Sequence, residues 1–286
     1  MPELPEVEML CRRLDERTRG CTVSRIELAS ITALKTYDPP IAALKGERLD
    51  RVERRGKYVC MKLATHWLVI HLARGGWISW RPRLAASPGR PGRGPLALRV
   101  GLEDGAGFDV TEMGTEKRLA IWVVASPDDI EAVATLGPDP LDPALTTERL
   151  GEVLAREKGD LKHAISRQSV IAGIGNAYSD EILHAAKLSP FKPAAKLSPA
   201  ELARLHDALF GITTDALGRA AGLALEDLKD AKRRNMSVHG RAGLPCPVCG
   251  DTVQEVSFAT RTLQYCPRCQ TGGQPLADRR MSRLLR

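Results

Sequence analysis

The chain opens Met1-Pro2-Glu3-Leu4-Pro5-Glu6-Val7-Glu8, and apolar residues recur at Leu10, Cys11 and Leu14 before Gly20. This spacing of threes and fours predicts an amphipathic helix ending near Gly20. Pro5 suits its first turn, and Glu6 and Glu8 suit the positive end of its dipole. The same residues permit chemistry. Removal of Met1 would turn Pro2 into a free secondary amine beside the Glu3 carboxylate. An α-amine titrates about 2–3 units below lysine, so a sizeable fraction is neutral and nucleophilic near pH 7. Condensed with an aldehyde, a proline amine gives an iminium cation directly, and an iminium is an electron sink.

A helix with one apolar face needs a surface to cover it. Residues from about 22 to 124 supply strands: Val23–Leu28, Lys57–Leu63, Trp67–Leu72, Trp77–Trp80, Leu96–Leu102 and Leu119–Val124, each bounded by turn residues. Arg81 to Pro95 is rich in Pro, Gly and Arg and reads as a long loop between strands. From about Asp128 the pattern becomes helical. Ser198-Pro199-Ala200-Glu201 has the form of a capping box, followed by Leu202, Leu205, Leu209 and Ile212 at helical spacing. The expected class is α+β, a β-sandwich or flattened barrel with the N-terminal helix packed on it and a helical domain after it. The expected limits are 1–127 for the sandwich, 128–235 for the helical domain and 236–286 for a cysteine-bearing module with a basic tail.

With 286 residues, 43% of them hydrophobic, the chain has material for two cored domains. Lys and Arg total 42 against 35 Asp and Glu, a net charge of +7 that favours polyanionic partners, nucleic acid foremost. No run of about 18 apolar residues offers a membrane helix, and the N-terminus carries early acids instead of a basic then apolar leader. A soluble, cytoplasmic, nucleoid-associated protein is expected.

Of the seven cysteines, Cys11, Cys21 and Cys60 are scattered while Cys246, Cys249, Cys266 and Cys269 form two Cys-x-x-Cys pairs sixteen residues apart. Two thiolate pairs on two turns close a tetrahedron, and four protein thiolates leave no open position, so one structural Zn2+ is expected. Thr252–Val256 and Arg261–Tyr265 read as the arms of a hairpin between them. Arg261, with no acidic neighbour in sequence, is either a phosphate fork or an exposed strand residue. Ala172-Gly173-Ile174-Gly175-Asn176 lies between helical patterns at Lys162–Ile171 and Asp180–Lys187; it is either a plain Gly-rich turn or a phosphate-receiving helix start. Arg54-Arg55-Gly56-Lys57 precedes a strand and His71 ends another, either as DNA-backbone contacts or as ordinary strand-edge residues.

Taken together, the Met-Pro-Glu-Leu-Pro-Glu start, Gly56-Lys57-Tyr58, the Gly-Ile-Gly-Asn turn and the terminal four-cysteine module resemble the formamidopyrimidine-DNA glycosylase/endonuclease VIII family, over nearly the whole chain and in the family order. The resemblance implies a β-sandwich, a helix-two-turn-helix domain and a zinc finger, with damaged double-stranded DNA bound by a monomer in the cleft between domains. It implies a bifunctional DNA glycosylase and abasic-site lyase. Pro2 would attack C1′ of the damaged nucleotide, Glu3 would move protons, and Glu6 and Lys57 would complete the catalytic set. Lys57, His71, Asn176 and Arg261 match phosphate-contacting positions. Where members insert Met, Arg and Phe into the gap left by the flipped nucleotide, this chain aligns Arg74, Lys117 and Leu119. The stretch from Gly222 to Ser237 has no clear match to the loop that covers an oxidised purine, and His239-Gly240-Arg241 stands where Tyr-Gly-Arg is common. Two other readings stay open: a lyase restricted to abasic sites, and a non-catalytic zinc-dependent binder of damaged DNA.

Overall fold

A computed structural model describes residues 1–85, 94–228, 235–258 and 262–277. Most of the expected loop between Arg81 and Pro95, residues 229–234, Arg261 and the basic tail at 279–286 lie outside the described residues. The chain divides into two compact units. The first holds Met1–Leu136 and a segment beginning at Arg219; the second holds Gly137–Gly218 and the C-terminal cysteine region.

The first unit begins with helix α1, Leu4–Thr18. Its strands are β1 Val23–Leu28, β2 Leu49–Arg55, β3 Tyr58–Leu63, β4 Trp67–His71, β5 Gly76–Arg81, β6 Leu96–Leu102, β7 Gly107–Glu112 and β8 Ala120–Val124. They form two antiparallel four-stranded sheets, in the orders β1-β6-β7-β5 and β2-β3-β4-β8. In the second of these, alternation sends Val59, Met61, Leu68, Ile70, Ile121 and Val123 to one face, each no more than 2% exposed. The opposite face presents Tyr58, Cys60, Trp67, Val69 and Val124, which pack against Ile130 and Val133 around the short helix α2, Glu131–Ala134. Covering on both faces explains why β3 and β4 read as nearly continuous apolar runs.

Two strands escape the sequence pattern. In β2 only Leu49 and Val52 are buried, and the strand is held by its ladder with β3 and by contacts to α1. In β7 the apolar alternation is broken by Asp109 and Glu112, both 4% exposed. Asp109 accepts from Arg99 Nε at 2.7 Å and from Arg81 Nε at 3.1 Å, so its charge is neutralised by flanking strands.

The second unit is helical: α3 Thr147–Ala155, α4 Leu161–Ser166, α5 Asn176–Ala185 and α6 Pro199–Ala221. Leu150, Ile165, Ile171, Ile182, Leu183 and Leu205 share one core. The capping box at Ser198 forms as expected, with Glu201 N–H donating to Ser198 Oγ at 3.3 Å and Ser198 N–H to Glu201 Oε2 at 2.9 Å. The helical pattern expected through Ile171 stops at Ser166 because Arg167 turns extended. A hairpin of β9 Gln254–Ser257 and β10 Thr262–Tyr265 and the short helix α7, Pro267–Gln270, complete the unit. Among the described residues no helix is long and apolar enough to cross a membrane.

One turn in the first unit is tightly constrained. Leu72-Ala73-Arg74-Gly75-Gly76 joins β4 to β5, with Ala73 at φ 50° and the Gly76 N–H donating to the Leu72 carbonyl at 2.8 Å. A Cβ on Gly75 would lie 2.1 Å from the Met113 carbonyl oxygen, backbone that has no rotamer to yield. Gly75→Ala is expected to destabilise the protein by about 1–3 kcal/mol in denaturant melts. Gly211→Ala, on α6 with nothing within 4 Å of the added carbon, should raise stability by up to about 1 kcal/mol.

Candidate active site and metal centre

The N-terminus of α1 is built by a reciprocal cap. Glu3 is the N-cap, in extended backbone at φ −121°, and its N–H donates to Glu6 Oε2 at 2.8 Å. Both carboxylates are buried, Glu3 at 2% and Glu6 at 5% exposure, at the N-terminal end of the helix. Pro2, half-buried, is the residue immediately outside the cap.

Contacts along α1 show what stands beside this end. Val52 N–H donates to Asp15 Oδ1 at 2.7 Å, Cys11 Sγ to the Glu53 carbonyl at 3.5 Å, and Arg54 Nε to Glu8 Oε2 at 2.9 Å. As the helix is followed back towards Pro2, β2 is followed forward towards its turn. The two-residue turn Gly56-Lys57, with Gly56 at φ 55° and Arg55 paired to Tyr58, therefore lies at the Pro2 end of the helix. Lys57 is 5% exposed.

Across the ladder Tyr58 pairs with His71, their rings 4.8 Å apart. Burial, reinforced by the Lys57 charge, pushes the His71 imidazole down to about 4, so it is neutral at physiological pH. Pro2, Glu3, Glu6, Lys57 and His71 thus gather at one end of the α1–β2–β3–β4 layer. The turn carrying Arg74 follows His71 directly, and Arg74 is exposed.

Beside that turn runs the loop between β7 and β8, tied to it by Met113 N–H donating to the Gly75 carbonyl at 3.0 Å. Lys117, exposed, donates from Nζ to the Glu112 carbonyl. Leu119 departs from expectation: it is 2% exposed, and its N–H and that of Arg118 are both held by Glu112 Oε1, at 2.9 and 2.7 Å. Adjoining the buried strand β8, its side chain joins the core instead of the surface. The exposed apolar side chain of this loop is Met113, at 57%.

In the second unit, Asn176 opens α5 behind the Gly173-Ile174-Gly175 turn. Gln168 braces that turn, accepting from Gly173 N–H at 2.9 Å and donating to the Ile174 carbonyl at 2.7 Å. The Asn176 side-chain amide donates to the Thr262 carbonyl at 2.9 Å, next to Arg261, which lies outside the described residues. Sequence reading passed over the support beneath Asn176. Lys162 Nζ, 4% exposed, donates to Asp180 Oδ1 at 2.6 Å, Ser179 Oγ at 2.8 Å and the Asn176 carbonyl at 3.0 Å. Glu181 Oε1 and Oε2 accept from the N–H groups of Ser237, Val238 and His239 at 2.7–2.9 Å. The available signal is an Asp-Glu pair in a helix whose residues from Ala177 to His184 are all buried.

In the C-terminal module the Cys249 and Cys266 sulfurs lie 3.3 Å apart and the Cys246 and Cys269 sulfurs 4.0 Å apart. Those separations bracket the roughly 3.8 Å edge of a tetrahedron with Zn–S bonds of about 2.3 Å. Soft thiolates in this arrangement suit zinc. His184 of α5, also missed from sequence, brings Nε2 to 3.3 Å from Cys246 Sγ.

The depressed His71 has a consequence for stability. As pH falls from 6.5 towards 4, the unfolded chain takes up a proton that folded His71 refuses, so folding stability drains away across this window. Urea melts should show a shallower loss between those pH values for His71→Gln than for the wild type; parallel curves would contradict it.

Comparison with known proteins finds three domain families along the chain. Residues 1–113 match the formamidopyrimidine-DNA glycosylase N-terminal domain, 136–226 the formamidopyrimidine-DNA glycosylase H2TH domain, and 243–272 the zinc finger found in FPG and IleRS. The formamidopyrimidine-DNA glycosylase of Symbiobacterium thermophilum is 34% identical over 281 residues, covering 94% of this chain and 89% of that protein. The crystal structure of MutM (Fpg) from Thermus thermophilus superposes with a TM-score of 0.80 at 31% identity, over 96% of this chain and 100% of that one. MutM in complex with carbocyclic 8-oxo-G containing DNA superposes with a TM-score of 0.83 at 26% identity, over 94% and 100%. With its N-terminal, H2TH and zinc-finger domains matched in order, the chain belongs to the formamidopyrimidine-DNA glycosylase/endonuclease VIII family.

Proposed function

We propose that this protein is a base-excision-repair DNA glycosylase that also cleaves the strand at the resulting abasic site. The observation that carries the reading is the position of Pro2 directly outside a helix cap made of two buried carboxylates. Once Met1 is removed, the Pro2 nitrogen attacks C1′ of the damaged nucleotide, the C1′–base bond breaks, and the base leaves with a proton. Glu3, adjacent to the amine, supplies the proton that opens the sugar ring, and the nitrogen lone pair completes an iminium at C1′. That cation acidifies the C2′ proton; its removal expels the 3′ phosphate, and hydrolysis of the iminium returns free Pro2. The positive end of α1 disfavours a protonated amine and so keeps Pro2 nucleophilic.

Lys57, His71 and Asn176 hold the DNA backbone in this reading, with Arg261 as a fourth contact. Neutral His71 donates a single N–H, while Lys57 contributes charge. One zinc ion bound by Cys246, Cys249, Cys266 and Cys269 orders the C-terminal hairpin and takes no part in the chemistry. The protein acts on damaged duplex DNA as a monomer. Name-level support comes from the relatives, which are called formamidopyrimidine-DNA glycosylase, and from the MutM complex with 8-oxo-G containing DNA.

Flipping a nucleotide leaves a gap whose filling offsets a few kcal/mol of unstacking. We assign this role to Arg74 and Met113, the exposed side chains of two loops joined by a backbone hydrogen bond, and not to buried Leu119. Met113→Ala should lower excision from base-paired lesion duplexes by about tenfold or more while leaving the melting temperature unchanged. Leu119→Ala should instead destabilise the fold by about 2–4 kcal/mol. Equal excision by Met113→Ala and wild type would remove Met113 from the wedge.

Borohydride reduction decides the covalent step. Wild-type protein incubated with a duplex containing an abasic site should yield a stable protein–DNA adduct, and Pro2→Gly should lose the proline-derived adduct as mapped by peptide mass. An adduct on another residue, or none with wild type, would overturn the Pro2 mechanism. Adducts on abasic-site DNA but never on duplexes carrying 8-oxoguanine, formamidopyrimidine or oxidised pyrimidines would narrow the activity to a lyase.

A further inference from the structure

Helix α5 carries His184 in its last turn, 5% exposed, and points it at the cysteine cluster. Its Nε2 lies 3.3 Å from Cys246 Sγ, and the ligand atoms of His184, Cys246, Cys266 and Cys269 all lie within 4.8 Å of one another. Cys249, outside that group of four, brings its sulfur to 3.3 Å from that of Cys266, so the cluster offers a fifth donor where a tetrahedral zinc takes four. In the four-thiolate reading the two Cys-x-x-Cys turns fill all four positions of the metal, and the imidazole is surplus as a ligand. A metal-bound thiolate has no proton and can only accept, which places the hydrogen on Nε2. A zinc ion with four thiolates carries a net charge of −2, and in a buried setting such charge calls for N–H donors around the sulfurs.

We propose that His184 donates an Nε2–H···Sγ hydrogen bond to the zinc-bound Cys246 thiolate, acting as a positioning residue that couples metal retention to the seating of the cysteine module on α5. The inference rests on the zinc reading above. The same helix already grips the segment leading into the module: Glu181 accepts three backbone N–H groups from Ser237 to His239, and Asp180 Oδ2 meets His239 Nδ1 at 2.8 Å. From the far side of the module, Gln270 Nε2 donates to the Leu188 carbonyl at 3.0 Å, just beyond the end of α5. These contacts fix the module's backbone through protein groups that are not metal ligands. The His184 contact differs because its acceptor is a ligand sulfur, whose full negative charge depends on the ion. Filling the site strengthens the hold of α5 on the module, and that hold in turn lowers the basicity of Cys246 and slows loss of the ion.

The test uses the full-length protein loaded with cobalt(II), whose visible bands report the donor set, together with metal release to a chromogenic chelator. His184→Phe fills the same space without a donor; His184→Gln restores an N–H. Wild type and His184→Phe should both show the d–d pattern of a four-sulfur tetrahedral site. In His184→Phe the sulfur-to-cobalt charge-transfer band should move to lower energy and metal release should accelerate about tenfold or more. His184→Gln should recover both towards wild type. Identical bands and release rates in wild type and His184→Phe, or a His184→Gln variant that releases metal as fast as His184→Phe, would overturn the hydrogen-bond assignment. A wild-type spectrum of mixed nitrogen and sulfur ligation would overturn it by making His184 a ligand. Failure of the wild type to bind cobalt or zinc at all would instead overturn the zinc reading, so the two failures are distinct.

Discussion

The hydrogen bond from the Glu3 N–H to the Glu6 carboxylate sets the geometry on which the candidate active site depends. It closes the first turn of α1 against its own side chain, so the chain direction at Pro2 is fixed by the helix and not by a loop. The side contacts from Asp15 to Val52, Cys11 to Glu53 and Glu8 to Arg54 then transmit that direction into β2. Every later component of the site inherits its place from this registration. Lys57 follows from the turn of β2 into β3, His71 from the pairing of β3 with β4, and Arg74 from the turn that succeeds β4.

The second unit follows a comparable logic with a buried charge at its centre. Lys162 and Asp180 would each be unfavourable alone in so apolar a setting, and their mutual contact, with Ser179 and the Asn176 carbonyl as further partners, satisfies both. That arrangement fixes the first turns of α5. The rest of the helix then serves as a rail, presenting Asn176 at one end, Glu181 in the middle and His184 at the other.

Much of this architecture is legible in the sequence because it rests on local rules. Pro5 with Glu6, Ser198 with Glu201, the alternating runs at Val23–Leu28 and Leu96–Leu102 and the paired Cys-x-x-Cys turns each declare their structure within a few residues. What escaped depends on partners far along the chain. Strand β7 hides because Asp109 is neutralised by Arg99 and Arg81, and β2 because its partners are a helix and a neighbouring strand. Leu119 is of the same kind: the resemblance identifies the loop, whereas its burial depends on packing that no local pattern declares. His184 carries no local signal, since nothing near it in sequence marks the cysteines that it meets across the fold.

The bond between Met113 and Gly75 joins two loops separated in sequence by three strands and a long excursion. The glycine is closed to change, since any side chain there would strike the Met113 carbonyl, whereas the side chains at positions 74 and 113 both project outward. The scaffold is thereby separated from the surface it displays. The tips of the two loops can be exchanged while the shared backbone bond keeps them in step and the fold beneath them unaltered.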